Sequence, residues 1–252
     1  MTVSIVGSDP RLRYCKESLL LRLPRWAPDI TLLPIPSSQN GRTVKGTELT
    51  LDEVLGGLSG GDILVSYGLS KERRLSLQPK GITVIDPSCD EGFLSDNARL
   101  TAMGTVGRIL TEEISSPRGL KIGIIGYGRI GQDLSHMLAF LGARLRIFTS
   151  KKELARDMCM LGISGVDSLS LENAEERFSG LDILINTAPA MLVSKSSAPE
   201  LKGVRVIELA SGNNFPEGIT YERLASVPAE MYPKSAGVAL ADAVMRMMGE
   251  SR

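Results

Sequence analysis

Short apolar runs along this chain alternate with stretches of helical spacing, and polar clusters rich in glycine and proline separate them. Residues 2–6 predict a buried strand, Gly7-Ser8-Asp9 a turn, and residues 11–21 a helix. Pro24, Pro28, Pro34 and Pro36 then break the chain, leaving a second strand over 30–33 and a loop over 36–41. Thr50 stands where a helix cap belongs before an apolar segment at 51–55. Residues 62–67 and 81–85 read as third and fourth strands, the latter ended by Asp86-Pro87. Strands separated by helical segments predict a small parallel sheet over about the first 95 residues.

A helical pattern over 96–114 leads into Ser115-Ser116-Pro117-Arg118-Gly119, whose turn-forming composition marks a domain boundary. Directly after it comes Ile122-Gly123-Ile124-Ile125, long enough for a buried parallel strand, and then Gly126-Tyr127-Gly128-Arg129-Ile130-Gly131. Ile130, Leu134, Met137, Leu138 and Leu141 fall on one helical stripe, Gly142 takes the cap position, and 144–148 alternate into another strand. Helices are expected over 152–161 and 171–178, and strands over 182–185 and 204–209. The last periodic segment, 235–248, is an amphipathic helix with Val238, Ala241, Met245 and Met248 on one side, suited to core or subunit packing.

The order strand, glycine turn, helix, strand gives the turn its meaning. Gly126 permits a sharp reversal, Gly128 lets a pyrophosphate approach main-chain N–H groups, and Gly131 lets the helix pack closely on the strand. This is the spacing of a dinucleotide site. At the end of the next strand, where an acidic residue would accept from a ribose 2′-hydroxyl, stand Thr149-Ser150-Lys151-Lys152, with no carboxylate before Glu153. A hydroxyl and two ammonium groups suit a 2′-phosphate, so NADP(H) is expected ahead of NAD(H). The polar loops Asn186-Thr187-Ala188-Pro189 and Ala210-Ser211-Gly212-Asn213-Asn214 follow later strands and are expected at the same sheet edge.

Composition narrows the partners. Lysine plus arginine and aspartate plus glutamate number 29 each in 252 residues, so no charge excess points to nucleic acid or a membrane. A small-molecule enzyme or a protein-binding subunit remains. Cys15, Cys89 and Cys159 lack metal spacing and fit a reducing compartment. Asp9, Arg11 and Arg13 interrupt any leader-like apolar stretch, and no run reaches the roughly 18 apolar residues of a membrane span, so a soluble cytoplasmic protein is expected.

His136 is the lone histidine and lies off the apolar stripe of its helix, which rules out a Ser-His-Asp or Cys-His arrangement and counts against ordinary 2-hydroxy-acid dehydrogenase chemistry. The remaining candidate proton carriers are Lys234, Tyr232, Glu208 and Tyr67. Ser37, Ser38, Asn97, Thr101, Thr105, Ser211 and Ser235 are better suited to holding a polar substrate. No metal-ligand set is visible.

The segments GIIGYGRIG, LGARLRIFTS, DILINTAPAML, VIELASG and PKSAG resemble those of the family of bacterial dipicolinate synthase A subunits, and IVGSDPR and DNARLTAMGT do so more loosely. The resemblance implies two Rossmann-like or flavodoxin-like parallel-sheet α/β domains with a cleft between them. The divisions expected are an N-terminal substrate or partner domain over 1–95, an interdomain helix and linker over 96–118, a dinucleotide-binding domain over 119–232 and a C-terminal helix over 233–252. It also implies nicotinamide-dependent oxidation of a dihydrodipicolinate-type cyclic dicarboxylate to the pyridine, alongside a flavoprotein B-type subunit in an oligomer.

Carried over by position, Gly126, Tyr127, Gly128, Arg129 and Ile130 would hold the pyrophosphate, and Thr149, Ser150 and Lys151 would meet the adenosine ribose. Asn186, Thr187, Ala188 and Pro189 would meet the nicotinamide ribose, Ala210 and Ser211 the nicotinamide edge, and Lys234 and Ser235 the substrate as catalytic candidates. The chain departs from the family in a shorter first domain, in Glu208 where aspartate is expected, and in Met103 where glutamate is usual. A non-catalytic nucleotide-binding scaffold for a flavoprotein, and a 2-hydroxy-acid dehydrogenase-like enzyme lacking the usual histidine, remain open as alternatives.

Overall fold

The computed structural model describes residues 1–113, 116–150, 163–167 and 178–250. In chain order its elements begin with β1 Val3–Ile5, α1 Pro10–Arg22, β2 Ile30–Leu32, α2 Leu51–Gly56, β3 Ile63–Val65, α3 Lys71–Leu77, β4 Thr83–Ile85 and α4 Glu91–Glu112. They continue through β5 Lys121–Ile125, α5 Arg129–Phe140, β6 Arg144–Phe148, β7 Ile163–Asp167, β8 Ile183–Asn186, β9 Arg205–Glu208, β10 Glu222–Arg223, α6 Val227–Met231 and α7 Pro233–Glu250. The chain divides into two compact units, one of Met1–Leu100 with Pro228–Arg252 and one of Thr101–Val227.

The first unit holds a four-stranded parallel sheet in the order β1-β2-β3-β4. Alternation along β3 separates its two faces: Ile63 and Val65 join one apolar cluster and Leu64 the other. Leu12, Cys15 and Leu19 of α1 and Leu240 and Val244 of α7 cover the first face; Leu51 and Leu55 of α2 and Leu77 of α3 cover the second. Each such fully buried aliphatic side chain contributes about 1.5–3 kcal/mol through apolar area removed from water. Met245 and Met248 pack at the margin of the first cluster, as core residues of this unit. Thr50 caps α2 through a reciprocal pair with Glu53, and Ser70 caps α3.

The second unit holds a six-stranded sheet in the order β10-β9-β8-β5-β6-β7, with every neighbouring pair parallel. Counted from β5, this is the doubly wound dinucleotide-binding order, with its switch point between β5 and β8. Ile122, Ile124, Ile185 and Ile207 pack with Leu134 and Leu138 of α5 and Val106 and Ile109 of α4 on one face. Phe148, Phe178, Leu184 and Val206 fill the other, the two phenylalanine rings meeting edge-on at 5.1 Å. An ion cluster ties the end of α4 to the amino ends of β9 and β10: Arg205 meets Glu112, Glu113 and Glu222, and Arg108 meets Glu222.

Several elements differ from the sequence expectation. The long helix starts at Glu91 rather than 96, because Asp90 accepts from Phe93 N and so turns the chain earlier. The strand β7, the helices α3 and α6 and the two-residue β10 carry too little periodicity to be read from sequence. The helix expected over 152–161, and that over 171–178 apart from Phe178, lie outside the described residues.

Candidate functional site

At the end of β5 the three motif glycines meet three separate demands. Gly126 has φ +95, and a Cβ there would stand 2.6 Å from Thr187 Oγ1. A Cβ on Gly131 would lie 2.3 Å from the Gly126 carbonyl oxygen, so α5 can approach β5 only because the residue is glycine. A Cβ on Gly128 would meet nothing within 4 Å. Gly128 is thus not needed for the protein's own packing; its bare backbone faces open space.

Gly128 is also the N-cap of α5, and among the described residues no side chain caps that helix, whereas Asp9, Thr50 and Ser70 cap α1, α2 and α3. The positive helix end at the switch point therefore carries no side-chain cap, an arrangement suited to a phosphate. Arg129 is exposed at the first helical position, and Ile130 packs partly against the core. Tyr127 is 3 % exposed and its ring belongs to the core, so only its main chain is available to a ligand. Burial raises its phenol above the ordinary range, and its hydroxyl has no hydrogen-bond partner among the described residues.

The neighbouring strand ends are braced by polar bonds. Thr187 donates to the Ile125 carbonyl through both its N–H, at 2.8 Å, and its hydroxyl, at 2.9 Å. Asn186 is buried and register-paired with Glu208; its Nδ2 donates to Glu208 Oε1 at 3.1 Å and Oε2 at 3.3 Å, and to Ala188 O at 3.1 Å. Its Oδ1 accepts from Ala188 N at 3.1 Å. Glu208, 0 % exposed, also accepts from Ala210 N at 2.9 Å. Burial pushes the Glu208 carboxyl above the ordinary range, against the opposing pull of Asn186, Ala210 N–H, Asn214 and the more distant Arg223. Arg223 itself donates to the carbonyls of Ala210 and Gly212.

Pro189 and Ser211 are exposed, and Ala188 and Ala210 half-buried, so the two loops present small surfaces while Asn186 and Glu208 are spent within. At the end of β6, Thr149 is buried and Ser150 exposed; Lys151 and Lys152 lie outside the described residues. A cavity of about 540 Å³ in the same unit is lined by Lys202, Arg205, Ile219, Tyr221 and Glu222. Arg205 begins β9, so this cavity sits at the amino edge, opposite the glycine turn.

Most of the other candidates belong to the first unit. Lys234 and Ser235 are exposed in the first turn of α7 and line a cavity of about 380 Å³ with Asp96 and Arg99 of α4. Ser37 and Ser66 share a buried hydrogen bond at 3.0 Å, and Ser37 Oγ accepts from Tyr67 N, so the Ser37 hydroxyl holds a loop against β3. Ser38 donates to Asn40, and Asn97 accepts from Arg11 Nη1 at 3.4 Å. Tyr67 and Tyr232 are half-buried. In the second unit, Thr105 donates back to Thr101 O within α4, and His136 is exposed on α5.

Sequence reasoning missed the buried Asp9–Arg11 ion pair, although Asp9 followed by Pro10 is a readable helix start. It also missed Arg223, which no motif marks.

No helix among the described residues is long and apolar enough to cross a membrane. The chain matches no known family profile and no curated protein. Among solved structures it is similar to the dipicolinate synthase A chain from Bacillus halodurans, with TM-score 0.79 and 20% identity over 98% of this chain and 97% of that one. The corresponding protein from Bacillus subtilis gives TM-score 0.78 and 18% identity over 99% and 96%. Transhydrogenase from Sinorhizobium meliloti gives TM-score 0.67 and 16% identity over 99% and 94%. At these identities the likeness is one of fold, and it extends over nearly the whole chain.

Proposed function

We propose that this chain is a nicotinamide-dinucleotide-dependent oxidoreductase subunit of the dipicolinate synthase A kind, oxidising a dihydrodipicolinate-type cyclic dicarboxylate to the pyridine. The observation that carries the dinucleotide reading is the uncapped start of α5 at the β5/β8 switch point, where Gly128 leaves the space a pyrophosphate needs. The fold likeness to two dipicolinate synthase A chains supports the choice of substrate class.

A bound nicotinamide supplies the two-electron acceptor. The main-chain N–H groups at the start of α5, with Arg129, bind the pyrophosphate, and the loops after β8 and β9 orient the nicotinamide half. Ser150 and Lys151 receive a 2′-phosphate, which makes NADP(H) the preferred form. The ring loses a hydride equivalent and one proton, and Lys234, with Ser235, is the group assigned to hold the substrate and take that proton. Aromatisation provides driving force, so modest acid–base equipment suffices. The protein works in the cytoplasm within an oligomer that includes a flavoprotein B-type subunit.

The test is NADP+ reduction with freshly prepared dihydrodipicolinate precursor, with and without a flavoprotein partner. Turnover supports the assignment. Cofactor binding without turnover under either condition identifies a nucleotide-binding scaffold, a reading favoured by the commitment of Asn186 and Glu208 to internal bonds. Steady oxidation of a simple hydroxy acid instead identifies a dehydrogenase that works without histidine.

A further inference from the structure

We propose that Glu208 is a positioning residue, whose carboxylate fixes the loops after β8 and β9 against each other where they flank the nicotinamide half of the dinucleotide. The proposal rests on the dinucleotide reading of the second unit.

The geometry is specific. Asn186 ends β8 and Glu208 ends β9, side by side in register. The Asn186 amide has one consistent orientation: Nδ2 needs acceptors, which are Glu208 and Ala188 O, and Oδ1 receives Ala188 N. Glu208 therefore sets the face of Asn186, and Asn186 sets the start of the loop carrying Ala188 and Pro189. The same carboxylate accepts from Ala210 N, which fixes the first residues after β9. One side chain thus anchors both loops.

Packing alone does not call for a charge here. Glu208 is completely buried, and burial raises its carboxyl above the ordinary range. Arg223 contacts the carbonyls of Ala210 and Gly212, and no cation forms an ion pair with Glu208 among the described residues. Ionising such a group costs stability, whereas a neutral amide of the same shape avoids that cost. What the amide loses is acceptor character: with its oxygen in the place of Oε1 its NH2 faces Asn186 Nδ2 from the place of Oε2, and turned over it faces both Asn186 Nδ2 and Ala210 N–H, donor against donor. A costly buried carboxylate whose bonds run to the last residue of β8 and to the loop after β9 is the pattern of a site held for function.

The experiment is fluorescence titration of the full chain with NADPH, and in parallel NADH, at neutral pH, paired with melting curves, for wild type, Glu208→Gln and Glu208→Asp. The expected result for Glu208→Gln is a dissociation constant raised about tenfold or more, with a melting temperature unchanged or higher. Glu208→Asp, which keeps the acceptor charge, is expected to stay within about threefold of wild type. Wild-type affinity in Glu208→Gln overturns the proposal. So does weak binding that tracks a fall in melting temperature in both variants, which would make Glu208 a core residue only. Failure of the wild-type protein to bind either NADH or NADPH removes the dinucleotide reading itself and is distinguishable from both.

Discussion

Asn186 and Glu208 meet across β8 and β9 with the amide nitrogen 3.1 and 3.3 Å from the two carboxylate oxygens, both side chains closed off from solvent. The pair tolerates one negative charge. In Asn186→Asp a second carboxylate enters the same space and the two share a proton, so the folded-state pKa of the pair rises further above the unfolded value. A raised carboxyl pKa contributes stability that is present at low pH and lost as pH rises through the folded value. Denaturant unfolding is expected to show a loss of about 2–4 kcal/mol at pH 8 that shrinks towards pH 5. A loss independent of pH would mean that the introduced carboxylate escapes the pair.

The glycines of the turn separate folding from binding. Gly128→Ala meets open space at an ordinary φ of −84, so stability should change by less than about 1 kcal/mol. NADPH affinity, read by fluorescence, should fall at least about tenfold because the methyl occupies the phosphate approach. Gly131→Ala sets a methyl 2.3 Å from the Gly126 carbonyl and should cost about 1–3 kcal/mol of stability by melting. Equal melting temperatures for the two variants would contradict this division.

Cofactor choice is tested at the other end of the motif. Lys151→Ala should weaken NADPH by about fivefold or more while leaving NADH nearly unchanged. Arg129→Ala should weaken both to a similar degree, since the pyrophosphate is common to them. A uniform loss in Lys151→Ala would count against recognition of the 2′-phosphate.

The ion cluster at the amino edge has the opposite pH signature. Arg205 first, then Arg108, hold Glu222 below the usual carboxylate range, opposed by desolvation. A depressed carboxyl pKa contributes stability present above the unfolded value, near 4.3, and lost as pH falls through the folded one. Arg205→Ala leaves Glu112, Glu113 and Glu222 facing one another. It should cost about 1–2 kcal/mol at pH 7, and the difference from wild type should narrow below about pH 4. Chemical denaturation at several pH values measures it.

The parts of this protein legible in its sequence are those where backbone geometry dictates residue type. Gly126 and Gly131 admit no side chain, Thr50 with Glu53 spells a capping box, and the apolar runs of β5, β8 and β9 are continuous because both faces of the sheet are covered. Asn186 and Glu208 carried no such mark. They become partners only through strand pairing, and nothing local in either segment announces the register. The ring of Tyr127 shows the converse: its motif position suggests contact with a ligand, yet packing against the core claimed the side chain. Helix α3 was hidden because Lys71, Glu72, Arg73 and Arg74 leave Leu77 as its one buried anchor.

The first unit is built from two separated lengths of chain, because α7 closes the apolar face of β1–β4 beside α1. On the ribosome, all of 101–227 emerges before that closing helix exists. The six-stranded unit is thus contiguous and can complete its core first, while Ile30 and Val65 have only α1 to cover them until Leu240 and Val244 arrive. A nascent chain stalled before 228 would therefore expose an adhesive sheet face to chaperones, and the four-stranded sheet, though it precedes the six-stranded one in sequence, is among the last parts to become native.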